Sequence, residues 1–246
     1  YCALSEHLLV LGREGLFSIK RILGFHIFNL RELRVVNDTH VIIEIPGLVI
    51  EIFATEALQL ARLLLRNNFL ITKLWPKEML RKVTPHKATD FPVFSPRLSV
   101  TQLFQFMYNA YCSYFQVDYF HSVTMFFHNI VTSGEIFADL TRMPLTDIDT
   151  AFGDPMSLRP VLVAMMFCPM IRGYILRNIS RPDFLRAVAP LVSKSQNIYL
   201  LQCSKCMMQE GVDELAQAIS SNPDCKILFY DLSNNKLKDL EKLAAA

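Results

Sequence analysis

Glycine is scarce in this sequence, eight in 246 residues. So few make a phosphate-cradling loop or a dinucleotide fingerprint hard to assemble, and neither motif occurs. Serine, histidine and aspartate do not stand in the order of a hydrolase triad. The six histidines, His7, His26, His40, His86, His121 and His128, show no HExxH or comparable pairing. An enzyme is therefore not expected, and neither is a cofactor or a resident metal. Charge of one sign is missing too: 25 Lys and Arg stand against 23 Asp and Glu, a net of +2. A nucleic-acid-binding stripe makes a domain strongly basic, so no nucleic-acid partner is expected. The 18 Phe and 8 Tyr are read instead as core. Long apolar runs are absent as well. Mean hydropathy is high at +0.26, yet no stretch of about 18 uncharged apolar residues exists, and the start carries no signal peptide.

Cysteine is present but has no framework. Of Cys2, Cys112, Cys168, Cys203, Cys206 and Cys225, only the Cys203-Ser-Lys-Cys206 pair has metal or thiol-exchange spacing. A zinc site needs a matching second pair, and there is none. Both thiols are expected to fill inward slots as small hydrophobes. Free thiols without a disulfide framework point to a reducing compartment.

What the sequence does contain is a repeat. In "KILFYDLSNNKLKDLEKLAAA", Ile227, Tyr230, Leu232, Asn235 and Leu237 fall on L-x-x-L-x-L-x-x-N-x-L, the leucine-rich repeat frame. Tyr230 and Leu232 point to one face of a short strand, because side chains alternate. Asn235 sits where the chain leaves the strand and can bond the turn of its own and adjoining coils. Twenty-nine residues upstream the frame recurs as Ile198, Leu201, Cys203, Cys206 and Met208, with cysteine in the asparagine slot. Another 27 residues back lie Ile171, Tyr174 and Leu176, a degenerate copy with Ile179 in that slot. Between copies run amphipathic segments, for example Val212, Leu215, Ala216 and Ile219 at helical spacing. Strand plus helix in 27–29 residues is the longer, ribonuclease-inhibitor-like class. One coil cannot bury its own apolar face, so about three or more with caps are needed. The terminal "KLAAA" looks like a vector scar, which makes 242–246 a vector-derived tail and the chain an N-terminal fragment by expectation.

The first ninety residues have another rhythm. "EHLLVLG", "GLFSIKR", "GFHIFNLRELRVV", "HVIIEIP" and "LVIEIFA" are short β-rich runs separated by turn residues. Val41, Ile43 and Ile45 alternate, Pro46-Gly47 signals a tight hairpin, and Ile50 and Ile52 follow. Thr55 is then placed to cap a helix with Leu58, Ala61, Leu64 and Leu65 on its apolar stripe, up to Asn67-Asn68. Antiparallel strands closed by one C-terminal helix predict a pleckstrin-homology-like (PH-like) β-barrel over 1–72, lacking its first strands. A Pro-rich stretch predicts a linker or wrap over 73–116, with a helix opened by Ser95-Pro96. An N-terminal cap over 117–154 is expected to use strands in "VTMFFHNIV" and "EIFADL". The first leucine-rich repeats occupy 155–241. The predicted class is α+β and α/β: a barrel with a helix, then a linker, a cap and the start of a repeat solenoid.

This order of parts resembles the CARMIL family of actin-capping-protein regulators. "HLLVLGREGLFSIKR" resembles the family's strand pair, and "LVIEIFATEALQLARLLLRNNF" its final strand and helix. "FQFMYNAYCSYF" is similar to the linker helix and "GEIFADLTRMPLTDID" to the capping strand. The resemblance covers nearly the whole chain but rests on colinear order, since no single motif is diagnostic. It implies a non-enzymatic scaffold, cytoplasmic and peripheral at the plasma membrane, at the cell cortex and leading edge. The PH domain of such a scaffold meets anionic phospholipid, and its repeats meet protein partners. Actin capping protein would be engaged through segments this sequence does not contain. The competing reading is a leucine-rich-repeat recognition module of another class, such as an immune-type sensor or a surface repeat protein.

Lipid binding needs clustered Lys or Arg. The candidates are Arg13, Lys20, Arg21, Arg31 and Arg34, with Lys77, Arg81, Lys82 and Lys87 in the linker and Lys20-Arg21 foremost. Residues 1–90 hold 12 basic and 9 acidic side chains, a slight excess. The exposed strand face of the repeats is the natural partner surface. Its candidates are Tyr199, Leu200, Gln202, Leu228, Phe229 and Asp231, of which Tyr199, Gln202, Phe229 and Asp231 lead.

Overall fold

The computed structural model describes residues 2–14, 19–75, 81–87, 91, 97–143 and 157–245. The chain divides into two units, Tyr1–Ser99 and Val100–Ala246. The described residues carry seven α-helices and three sheets, an α+β protein. The division at Ser99 falls inside the stretch read from sequence as a linker.

In the first unit, β1 (Cys2–Leu4), β2 (Leu8–Glu14) and β3 (Ile19–His26) form an antiparallel meander. A second antiparallel run follows: β4 (Glu32–Asn37), β5 (His40–Ile45) and β6 (Leu48–Phe53). Period-two alternation sets its register. Leu33, Val35, Val41 and Ile43 are buried on one face, while Glu32, Arg34, Ile42 and Glu44 take the other. Pro46-Gly47 joins β5 to β6 directly. The helix α1 (Ala57–Thr72) packs on β4 and β5 through Ala57, Ala61, Leu64 and Ile71. Thr55 does not cap it. Its hydroxyl bonds the Glu56 carboxyl instead, and this with the backbone amide lowers the carboxyl's pKa at the positive helix start. Asn67-Asn68 does not end the helix either. Asn67 reaches the Ser5 carbonyl at 3.3 Å, and the Asn68 carbonyl accepts the Thr72 hydroxyl at 2.7 Å.

A further expectation for this unit is corrected. The described residues form no closed barrel: the three-stranded and four-stranded sheets share no ladder, and β1 and β6 each have one neighbour only. Closure requires hydrogen bonds around the whole circumference. The Pro-rich stretch lies against the sheet in part, where β7 (Lys82–Thr84) adds to β4 in parallel. Val83 lies beside Leu33, Lys82 reaches Glu32 at 3.3 Å, and Arg81 donates to the Phe28 carbonyl at 2.7 Å. An apolar residue between two polar ones suffices for a short edge strand when a carboxylate waits opposite its lysine.

The second unit opens with α2 (Val100–Phe115) and α3 (His121–Ser133), whose Phe104 and Phe127 rings stack at 4.0 Å. Ser95 and Pro96 lie outside the described residues. The strand expected at Val123–Val131 is part of α3. Its aromatic and β-branched composition suggested a strand, but Val123, Phe126, Phe127 and Ile130 are the buried set, at i, i+3, i+4 and i+7. Gly134, in the left-handed region at φ 69°, ends the helix.

Then come β8 (Phe137–Asp139), α4 (Leu158–Met166), β9 (Gly173–Arg177), α5 (Phe184–Val192), β10 (Leu200–Ser204), α6 (Val212–Ser220), β11 (Phe229–Asp231) and α7 (Glu241–Ala244). The four strands form one parallel sheet in chain order, with a helix between each pair, and α4, α5 and α6 pack in succession. Tyr174 lies beside Leu201, and Leu201 beside Tyr230. These are the 27- and 29-residue intervals of the sequence frame. The tail region contributes α7, whose Lys242 reaches Asp213 of α6 at 2.7 Å.

One buried base gives the first unit a pH dependence. His7 is 8% exposed and its ring stacks on His26 at 5.9 Å. Burial lowers the His7 pKa from its ordinary 6.5, against a smaller opposing effect of Glu6. Below pH 6.5 the unfolded chain takes up a proton that the folded chain refuses, so stability falls as pH drops. Thermal unfolding between about pH 7.5 and about pH 5 should show a falling midpoint, and His7→Gln should flatten that slope.

Candidate functional site

The sheet of the second unit has an inward face that fills the core and an outward face that meets solvent. Inward, Ile171, Tyr174, Leu176, Ile198, Leu201, Cys203, Cys206 and Met208 are all 2% exposed or less. The final set, Ile227, Tyr230, Leu232, Asn235 and Leu237, is half-buried. Burial pushes the Cys203 thiol well above its usual range and raises Cys206 too. Both sit as small buried thiols in the core. Among the described residues no group of three or more His, Cys, Asp or Glu is placed to hold a metal ion.

Side chains pin the coils where the strands end. The Asn235 amide donates to the Cys203 carbonyl at 2.7 Å and the Leu232 carbonyl at 2.9 Å, while its oxygen accepts from the Cys206 amide at 2.9 Å. One coil earlier the Cys206 thiol donates to the Leu176 carbonyl at 3.3 Å. Leu176 pairs with Cys203 across the sheet, so thiol and amide perform the same task one coil apart. The repeat frame did not reveal the device beside them. Asn178, Lys205 and Asn234 all take left-handed φ, 57°, 56° and 56°. Asn178 and Lys205 donate from the backbone to Ser204 and Ser233 of the next coil at 3.1 Å. Asparagine tolerates this conformation and signals it at two of the three places; lysine does not.

The outward face is built from two kinds of row, set by register. One is apolar: Phe137, Gly173, Leu200 and Phe229 lie side by side across all four strands. Phe137 is 37% and Phe229 54% exposed, and the adjoining Ile136 and Leu228 are 50% and 82% exposed. A side chain at Gly173 would put its Cβ 2.6 Å from both the Leu200 Cβ and the Leu200 carbonyl oxygen. Glycine there lets Leu200 and Phe137 close over the strand. Two residues along, a polar row runs through Asp139, Ile175, Gln202 and Asp231. Arg177 donates to Gln202 at 2.6 Å and Gln202 to Asp231 at 2.8 Å, a relay across three strands. Hydrogen bonds from Ser233 and then Gln202 hold the Asp231 carboxyl below the usual range. Tyr199 lies before β10, beneath the Arg172 guanidinium at 5.8 Å. Sequence candidates Gln202, Phe229 and Asp231 thus lie on the outward rows. Arg177, Phe137 and Gly173 were not singled out; of the three, only Gly173 sits one repeat interval from a residue that was, Leu200.

The basic candidates of the first unit are described only in part. The side chains of Arg13, Lys20 and Arg21 lie outside the described residues, as does Lys77. Their backbones place Arg13 beside Lys20 in the β2–β3 ladder. Arg31 and Arg34 are exposed, but Arg34 lies 3.4 Å from Glu32, which Lys82 also reaches. Burial raises the Glu32 pKa, and the Lys82 hydrogen bond with the Lys82 and Arg34 charges more than reverses this. Lys87 pairs with Asp38 at 3.5 Å. Among the described residues no helix is long and apolar enough to cross a membrane. No protein-family model matches the chain, and no curated protein matches it.

Two substitutions probe this surface. Asn235→Ala should cost about 1–3 kcal/mol by leaving the carbonyls it serves unpaired. Gly173→Val should cost a similar amount, roughly 1–3 kcal/mol, by overpacking against Leu200. Urea unfolding measures both, and wild-type midpoints would refute the pinning and the close approach respectively.

Proposed function

We propose that this chain is the membrane-directed front part of a non-enzymatic scaffold of CARMIL type. Its first unit is read as a pleckstrin-homology-like domain that meets anionic phospholipid. Its second unit is read as a capping element followed by the first leucine-rich repeats, whose outward face docks protein partners. Regulation of actin dynamics through capping protein would belong to other segments of such a scaffold. The place of action is the cytoplasmic side of the plasma membrane.

The observation that carries the reading is the stacking at 27- and 29-residue intervals. It puts asparagine and cysteine amide and thiol donors on the preceding coil's carbonyls and frees the outward row for contact. Two antiparallel three-strand runs followed by a 16-residue helix support the PH-like assignment of the first unit. The lipid role rests on the resemblance and on the β2–β3 hairpin, where Arg13 and Lys20 are neighbours. Because Glu32 offsets Arg34 and Lys82, the hairpin bases are assigned the larger share.

Co-sedimentation with vesicles of phosphatidylcholine and phosphatidylserine tests the lipid role. The chain should sediment with them at low salt and not with phosphatidylcholine alone. Each basic residue near an anionic surface contributes about 1 kcal/mol, so Lys20→Ala with Arg21→Ala should weaken binding roughly 30-fold. Equal partition of wild type and double variant, or no sedimentation of either, would remove the membrane from this reading.

A further inference from the structure

Four buried rings follow one another through the first unit: His7, His26, Phe28 and Trp75, none more than 9% exposed. Successive centroids stand 5.9, 4.9 and 5.5 Å apart. The Arg81 guanidinium ends the series, 5.1 Å from the Trp75 ring and one residue before β7. Hydrogen bonds tie both ends of the series to a single 3-10 turn, Ile27–Asn29. The His7 carbonyl accepts from the Ile27 amide at 2.8 Å, and the Phe28 carbonyl accepts from Arg81 at 2.7 Å. Between them, the His26 Nδ1 caps the turn by accepting from the Phe28 amide at 3.1 Å.

A protonated imidazole donates from both nitrogens and accepts at neither. His26 therefore cannot take a proton at Nδ1 and keep the Phe28 amide, so its charging costs the turn its cap. A second cation on His7, 5.9 Å away, would repel it. Glu6 precedes β2 and favours charge on His7 less than burial opposes it. The helix α1 packs on the same turn, but its buried set holds no charged residue, and Lys73 beyond it lies exposed over Phe69. On the linker side stand Arg81, Lys82 and the exposed His86. Glu32, which holds Lys82, stays ionised in mild acid, because the hydrogen bond and charge of Lys82 outweigh its burial. From this arrangement we infer that the turn is a proton-operated clasp for the Pro-rich stretch. Protonation of His26 unwinds Ile27–Asn29, withdraws the Phe28 ring from Trp75 and its carbonyl from Arg81, and frees β7 from β4. The β4–β5–β6 ladders do not pass through the turn and stay closed.

The inference rests on neither lipid binding nor the repeats. Trp75 is the one tryptophan of the chain, so its emission reports the clasp. From about pH 7.5 to about pH 5.5 the emission should move to longer wavelength while far-UV circular dichroism holds. A refused proton raises the open fraction by up to about tenfold per pH unit below the ordinary histidine value. Exchange of the Lys82 amide, bonded to the Arg31 carbonyl at 3.1 Å, should accordingly quicken about tenfold, once corrected for the intrinsic rate. His26→Asn supplies the turn with a neutral oxygen acceptor and should cut that quickening to about threefold or less. His7→Gln should also lessen it, and serves should the first variant fail to fold; His86→Gln should change nothing. Emission independent of pH in wild type would overturn the proposal. So would quickening that persists in full in His26→Asn or vanishes in His86→Gln. Equal quickening at Lys82 and Ile43 would overturn it as well, since the unit would then be opening as a whole.

Discussion

Parallel strands joined by helices leave backbone donors and acceptors pointing along the sheet at every turn, and those groups must be met inside the stack. That constraint organises the second unit. At the end of β11 the Asn235 carboxamide is donor and acceptor at once, joining the Cys203 carbonyl to the Cys206 amide. At the end of β10 a thiol replaces it and reaches back to the Leu176 carbonyl. The weaker donor is tolerated because left-handed turns at Asn178 and Lys205 align neighbouring backbones to bond directly. Cysteine in this slot is thus a structural choice. Its pKa follows from the burial that the slot imposes.

The same accounting explains the outward face. Once strands are spaced by ladders and pinned at their ends, register alone decides which side chains are neighbours. Phe137, Leu200 and Phe229 form one row across Gly173. Arg177, Gln202 and Asp231 form another, linked by hydrogen bonds. Opposite charges joined through an amide give a surface of low net charge with directional polar groups. Beside an apolar row, that composition suits protein contact better than capture of a polyanion.

Much of this was legible in the sequence because it is periodic. The repeat frame, the inward position of Cys203 and Cys206, the β5–β6 hairpin and the outward place of Gln202 and Asp231 follow from spacing and alternation. Failures came where composition and periodicity disagree. Val123–Val131 has the aromatic and β-branched content of a strand, but its buried residues keep helical spacing and its partners are the aromatic rings of α2. Lys82–Thr84 is too short and polar to announce a strand, and its ladder with β4, fifty residues earlier, makes it one. Thr55 has the chemistry of a cap, yet the Glu56 carboxyl beside it takes its hydroxyl. The open edges of the first unit were hidden for the same reason. Alternation predicts a strand but not which neighbour it finds.

High mean hydropathy without a membrane-spanning helix needs a physical cause, and the structure supplies a location for it. Of the twelve large apolar side chains exposed among the described residues, seven lie on or directly before β6, β8 and β11. Each of those strands is an edge of its sheet. Scattered apolar residues on a surface need no explanation, whereas a majority gathered at sheet edges does. At an edge, the backbone offers unpaired hydrogen-bonding groups and the side chains offer area, so one extended segment satisfies both at a stroke. Hydrophobicity here is therefore placed where polypeptide can add to polypeptide. In the first unit β7 has already done so on one side of the sheet.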